Sequence, residues 1–206
     1  MMSGKSWGYV VQFFCLLVFL GMSPFLIKMD GRKTMSVSSD SVRSQNVSDE
    51  VKPVAALTFD DGPNASSTPI LLDGLKERKV RATFFLIGEN VEKDENETIV
   101  KRMSEEGHLI GNHTYTHCNL SKLETGEAKK ELEQTDTVIE KITGKQPVFA
   151  RAPYGELPVD SEQDLSRIYI GWTVDPLDWM TEDAGAVVKT VVEEINPGDV
   201  ILLRSE

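Results

Sequence analysis

The chain has 206 residues, 40% of them hydrophobic and 27% charged, enough for one mid-sized domain with appendages but not for two large catalytic domains with separate cores. That composition excludes a wholly disordered or collagen-like chain. The formal charge of −11 is uneven, about +1 on the first 50 residues and about −12 on the rest; this argues against recognition of nucleic acid or another polyanion through bulk electrostatics and favours a neutral or cationic partner.

The first predicted element is an uncharged apolar run from Gly8 to Ile27, preceded by Lys5 and followed by Lys28, Arg32 and Lys33. Its length matches the roughly 20 residues that a helix needs to cross a bilayer core. No small-x-small cleavage site follows, so residues 1–34 read as a membrane anchor that leaves the rest of the chain outside the cytoplasm; the competing reading is a cleaved signal peptide and a secreted domain. Residues 35–52, rich in Ser, Asp, Asn and Val without a period, read as a flexible stalk, and a domain over 53–206 follows. Cys15 lies in the apolar run and Cys118 in the domain, so a disulfide within the domain is excluded.

Within the domain, strands are predicted at Val54 to Phe59, Ala82 to Ile87, His108 to Gly111, Val148 to Ala150, Tyr169 to Val174 and Val200 to Leu203. Helical patterns separate them. Thr68 and Pro69 read as an N-cap and first-turn proline ahead of Ile70, Leu71, Leu72 and Leu75. Ile99, Val100 and Met103 precede Gly107, and Ala128, Leu132, Thr135, Ile139 and Ile142 precede Gly144. Asp183 is placed to cap Val187, Val188, Val191, Val192 and Ile195, which stop at Asn196-Pro197-Gly198. This alternation predicts an α/β fold with a parallel sheet, either an open doubly wound sheet or a barrel.

Such folds place their chemistry at the C-terminal ends of the strands. There stand Asp60 and Asp61, His113 and His117, Arg151, Asp175 and Asp178, and Arg204. Asp60-Asp61-Gly62-Pro63 alone is equally a turn, and His113-Thr-Tyr-Thr-His117 places two imidazoles on one face if helical. Together, two histidines and a carboxylate make three ligands for a divalent ion with positions left for water, and the second carboxylate supplies a base. Such an ion lowers the pKa of bound water toward about 7 and polarises a carbonyl, which points to metal-assisted hydrolysis of an amide or ester.

Four stretches then carry a resemblance: Thr58-Phe59-Asp60-Asp61-Gly62-Pro63, Gly107 through His117, Arg151-Ala152-Pro153-Tyr154-Gly155 and Asp175-Pro176-Leu177-Asp178-Trp179. In this order they resemble the first four motifs of the polysaccharide deacetylases of the NodB-homology type, carbohydrate esterase family 4. The resemblance implies a distorted (β/α) barrel that removes acetyl groups from a glycan. It implies Asp60 as general base, and Asp61, His113 and His117 as metal ligands, for zinc or else cobalt or another divalent ion. Arg151 would keep Asp60 ionised, and the Tyr154 backbone N–H would stabilise an oxyanion. Asp178 would orient the general acid, and Trp179 and Leu202 would line the substrate groove. Asp175 is expected as a loop contact, Trp172 as core, His108 as structural and Cys118 as a buried thiol.

The family's fifth motif, Leu-x-His, supplies the histidine that protonates the departing amine. Here the matching stretch reads Leu202-Leu203-Arg204, and arginine cannot donate a proton near neutral pH. The chain also stops where the family adds a last helix and strand, so a C-terminally truncated barrel with an uncovered edge is expected. The expected partner is an acetylated cell-surface glycan, peptidoglycan first and chitin or O-acetylated xylan as alternatives, turned over weakly. A non-catalytic metal- and glycan-binding module is the competing function.

Overall fold

In the computed structural model, residues 54–158 and 167–205 are described. The expected membrane anchor, stalk, Cys15 and domain start at residue 53 lie outside them. Among the described residues, no helix is long and apolar enough to cross a membrane.

The chain alternates strand and helix: β1 (Ala56–Asp60), α1 (Thr68–Glu77), β2 (Thr83–Leu86), a one-turn α2 (Gly88–Val91), α3 (Glu97–Glu105), β3 (Leu109–Asn112), α4 (Thr125–Thr143), β4 (Phe149–Ala150), β5 (Ile168–Tyr169), α5 (Ala184–Glu194) and β6 (Val200–Arg204). All pairings are parallel, in the order β5-β4-β3-β2-β1-β6. Of the two architectures left open by the alternation, the sheet takes the curled one. The predicted fifth strand is interrupted. Ile168 and Tyr169 pair with β4, but beyond Gly171 the run changes partner, and Val174 bridges to Ile201 on the far side of β6. There Thr173 N–H donates to Val200 O at 2.9 Å and Leu202 N–H to Val174 O at 3.0 Å. The outer edge of β6 is therefore not bare over Val200 to Leu202, against expectation.

The register Thr58↔Thr83, Phe85↔Gly111 and Asp60↔Arg204 sorts side chains onto two faces. Leu57, Phe59, Phe84, Leu86, Ile201 and Leu203 point toward the helices and form the main core with Leu71, Leu72, Leu75, Val100, Met103, Ile139 and Val188. Phe59 stacks on Phe84 with ring centroids 5.3 Å apart. Thr58, Asp60, Phe85, Gly111 and His113 belong to the opposite, inner face. A Cβ on Gly111 would lie 2.5 Å from the Phe85 ring, so that face has no room for a side chain there.

The caps explain the helix limits. Gly144 ends α4 in the left-handed conformation at φ 72, and the Asp183 carboxylate accepts from the N–H groups of Gly185 and Ala186 at the start of α5. At α1 the cap position is held by Ser67, not Thr68. The Thr68 hydroxyl is buried and instead accepts from Asn64 N–H at 2.8 Å.

Candidate active site

The end of β1 delivers two buried carboxylates to different tasks. Asp60 Oδ1 accepts a hydrogen bond from Arg151 Nη1 at 2.7 Å, and both groups are almost fully buried. Asp61 adopts a left-handed backbone with φ 70, which turns it out of the strand's alternation. Asn90 Nδ2 donates to Asp61 O at 2.9 Å, and Ser205 N–H and Oγ–H both donate to Asp60 O at 3.1 Å.

His113 follows β3 directly. Its Nδ1 lies 2.7 Å from the carbonyl oxygen of Arg151, an acceptor, so this nitrogen carries the proton and Nε2 presents its lone pair. Nε2 stands 3.3 Å from Asp61 Oδ1 and 3.8 Å from Asp60 Oδ2. His117 Nε2 reaches the same Asp61 oxygen at 3.1 Å. The two histidines are not on a helix, as their spacing alone allowed. They lie on a loop in which Thr114 and His117 have φ of 64 and 57.

Asp61 Oδ1 is buried, yet neither imidazole meets it with hydrogen-bond alignment. Three ligand atoms, one each from Asp61, His113 and His117, lie within 4.8 Å of one another. Once both Nε2 atoms are free of protons, their lone pairs and this carboxylate fit a shared divalent cation. Cys118, half-buried, is outside this group.

Arg151 extends through the inner face. Nη1 also donates to Thr58 Oγ1 at 2.8 Å, Nε to Ile170 O at 3.2 Å and Nη2 to Gly171 O at 3.0 Å, while the guanidinium carbon sits 4.3 Å from the Phe85 ring centroid. Trp172 contributes a second ring at 5.8 Å and packs over Gly155. Burial raises the Asp60 pKa above its ordinary value; His113 and Arg151 oppose this without cancelling it. Arg151 thus favours the ionised form, but desolvation is the larger effect. Burial also opposes ionisation of Asp61, but there the two imidazoles, when protonated, and Arg204 outweigh it and hold the carboxyl below its usual range.

Arg204 ends β6 opposite Asp60, with Nε 3.2 Å from Asp61 Oδ2. Its backbone N–H donates to Asp178 Oδ2 at 2.8 Å, so Asp178 holds the chain at Arg204 rather than a proton-donating side chain. Asp178 Oδ1 is buried and has no hydrogen-bond partner, and burial raises this carboxyl. Asp175 Oδ1 accepts from Leu177 N–H at 3.0 Å, a loop contact. Tyr154 takes φ 62 and brings its hydroxyl to 3.3 Å from His117 Nδ1. Trp179 is half exposed next to Asp178, and Leu202 is half-buried on β6. His108 is far from this rim and buried, its Nδ1 accepting from Ala82 N–H at 3.1 Å.

A family model described as polysaccharide deacetylase matches residues 48–170, more than half of the chain. The chain belongs to the polysaccharide deacetylase family. Among its relatives, the peptidoglycan-N-acetylglucosamine deacetylase of Bacillus cereus is 43% identical over 159 residues, 75% of this chain and 56% of that protein. The peptidoglycan-N-acetylmuramic acid deacetylase PdaC of Bacillus subtilis is 37% identical over 80% of this chain and 35% of its own length. This chain therefore spans from about a third to a little over half of these curated relatives. The solved structure of PdaC matches with a TM-score of 0.72 at 37% identity, covering 76% of this chain and 77% of that one. A mutant of a family 4 pseudoenzyme, with restored enzymatic activity, matches with a TM-score of 0.69 at 32% identity over 76% of this chain and 58% of that one.

Sequence reasoning missed Thr58, Ser205 and Glu131, whose carboxylate on α4 accepts from the N–H groups of Tyr115 and Thr116 in the histidine loop. Thr58 was legible in principle, because period-two alternation on β1 puts it on the same face as Asp60. Ser205 carried no local signal, since its partners Asp60, Ser67 and Thr68 lie about 140 positions away in sequence.

Proposed function

We propose that this domain is a metal-dependent hydrolase removing N-acetyl groups from a cell-surface glycan, with peptidoglycan N-acetylglucosamine as the first candidate. The observation that carries the reading is the convergence of two imidazole nitrogens on the unpartnered Asp61 Oδ1. Asp61, His113 and His117 would hold the cation, zinc in first place and cobalt or another divalent ion in the same donor set. When bound, the ion supplies Lewis acidity toward an acyl oxygen and lowers the pKa of water.

Asp60 has one oxygen committed to Arg151, and its Oδ2 beside His113 is placed to take a proton from an attacking water. The backbone at Tyr154 is assigned to the oxyanion, and Trp179 and Leu202 to the sugar. The apolar run from Gly8 to Ile27 supports an anchored domain outside the cytoplasm, where peptidoglycan is in reach.

Proton delivery to the leaving amine is the weak step. Arg204 is engaged by Asp61, and a guanidinium is not a proton donor near neutral pH. Loss of a general acid costs about 10²- to 10⁴-fold in rate. That contact also favours a second reading, a metal- and glycan-binding module without turnover. Acetate release from N-acetylglucosamine oligomers with added zinc, measured beside zinc affinity, separates the two. Slow release that rises at least tenfold in Arg204→His supports the impaired hydrolase; zinc and glycan binding with no release from either protein supports the module. Release at the Bacillus cereus enzyme's rate by the unaltered chain overturns the role given to Arg204. Chitin oligomers and acetylated xylan in the same assay rank the substrates.

A further inference from the structure

The two imidazoles are placed by unequal means. His113 leaves β3 directly, is buried and is fixed through Nδ1 by Arg151 O at 2.7 Å. His117 comes four residues later on a loop, its side chain 26% exposed against 3% for His113. Its position depends on the backbone between them, which holds left-handed conformations at Thr114 and His117 that only surrounding contacts can maintain in residues other than glycine.

Those contacts converge on one carboxylate. From α4, Glu131 Oε2 accepts from the N–H groups of Tyr115 at 3.0 Å and Thr116 at 2.9 Å, and from Thr116 Oγ1 at 3.1 Å. The start of the loop is held separately: Asn112 Oδ1 accepts from Thr114 N–H at 2.8 Å, while Asn112 Nδ2 donates to Leu132 O and Asp136 Oδ1. Glu131 thus clamps the two amides immediately before His117, and neighbouring Leu132, buried at 2% exposure, anchors that turn of α4.

We propose that Glu131 is the positioning residue for His117, tying the more exposed ligand of the cation site to the helix layer. It rests on the reading of Asp61, His113 and His117 as a cation site. A carboxylate accepting several N–H groups forms strong bonds, and loss of partners that orient metal ligands typically costs about 10- to 100-fold in affinity.

The test is zinc titration of the full chain in mild detergent against a chromophoric chelator, with the visible spectrum of the cobalt form. Glu131→Ala should weaken zinc binding about 10- to 100-fold and alter the cobalt spectrum. Glu131→Asp, which keeps the charge but withdraws the oxygen, should repeat the loss. Glu131→Gln, which keeps an acceptor oxygen in place, should stay within a few-fold of the parent. In a His117→Ala background, Glu131→Ala should cost little more, because the residue it positions is gone. Unchanged affinity in both Glu131→Ala and Glu131→Asp, or an undiminished loss in the His117→Ala background, overturns the assignment. If the parent and His113→Ala bind zinc alike, the cation site itself is wrong and the role of Glu131 falls with it. Should Glu131→Ala not fold, Glu131→Asp carries the same cycle.

Discussion

Among the described residues, Arg151 is the largest side chain buried almost completely, and it is a charge. It is tolerated because its donors meet Asp60, Thr58, Ile170 O and Gly171 O while Phe85 covers one face of the guanidinium. Removing one partner of a buried pair leaves the other uncompensated and costs about 3–5 kcal/mol. Arg151→Leu should therefore lower the unfolding free energy by about that much in urea, and Arg151→Lys should not rescue it, because a single ammonium cannot reach all four acceptors. A loss within 0.5 kcal/mol, roughly the surface level, would refute this account. The carboxylates and histidines of the site were legible in the sequence because strand ends bring such residues to one rim. Thr58 could be placed on the same face by alternation, but Ser205 and Glu131 could not, because each matters through partners elsewhere in the chain.

At the scale of elements, the amphipathic α4 and the caps at Gly144 and Asp183 follow from local chemistry and were readable. The fate of the fifth strand was not. Its apolar run shows that residues 168–174 are extended, but period and propensity do not say that one half hydrogen-bonds to β4 and the other to β6. The join of β2 to β3 carries a prediction of its own. His108 accepts from Ala82 N–H through Nδ1 and presents its ring edge-on to Phe84 at 5.3 Å. Burial lowers its pKa from 6.5; Glu106 opposes this, and Arg102 and Arg81 reinforce it. A histidine whose pKa is lower folded than unfolded stabilises the fold above the unfolded value, and the contribution is lost as pH falls through the folded one. Stability should thus decline from about pH 6.5 downward, and His108→Asn should flatten that part of the profile. An identical pH profile for the variant would contradict this.

For the whole molecule, the two faces of the sheet divide the labour: the helix-facing side holds the apolar core and the inner side holds the polar machinery. The alternation of strand and helix left curled and open sheets both available, because curvature depends on which distant edges meet, and only the family resemblance pointed to the barrel. The proposed cation site would tie the ends of β1 and β3 through Asp61 and His113. A ligand that binds only the folded chain stabilises it, by about 2.7 kcal/mol at a hundredfold excess over its Kd. Zinc should therefore raise the melting temperature, a chelator should reverse the shift, and Asp61→Asn should abolish most of it. An equal shift in Asp61→Asn would mean that zinc binds elsewhere.

The long arginine spanning the inner face has a consequence for descent. It is bound at once to a carboxylate of the candidate site and to backbone of β5's continuation, so a lineage that abandoned turnover would still be held to it by the need to fold. Finding that arginine in a distant cousin is evidence of shared ancestry and architecture, and by itself no sign that the cousin still works on sugar.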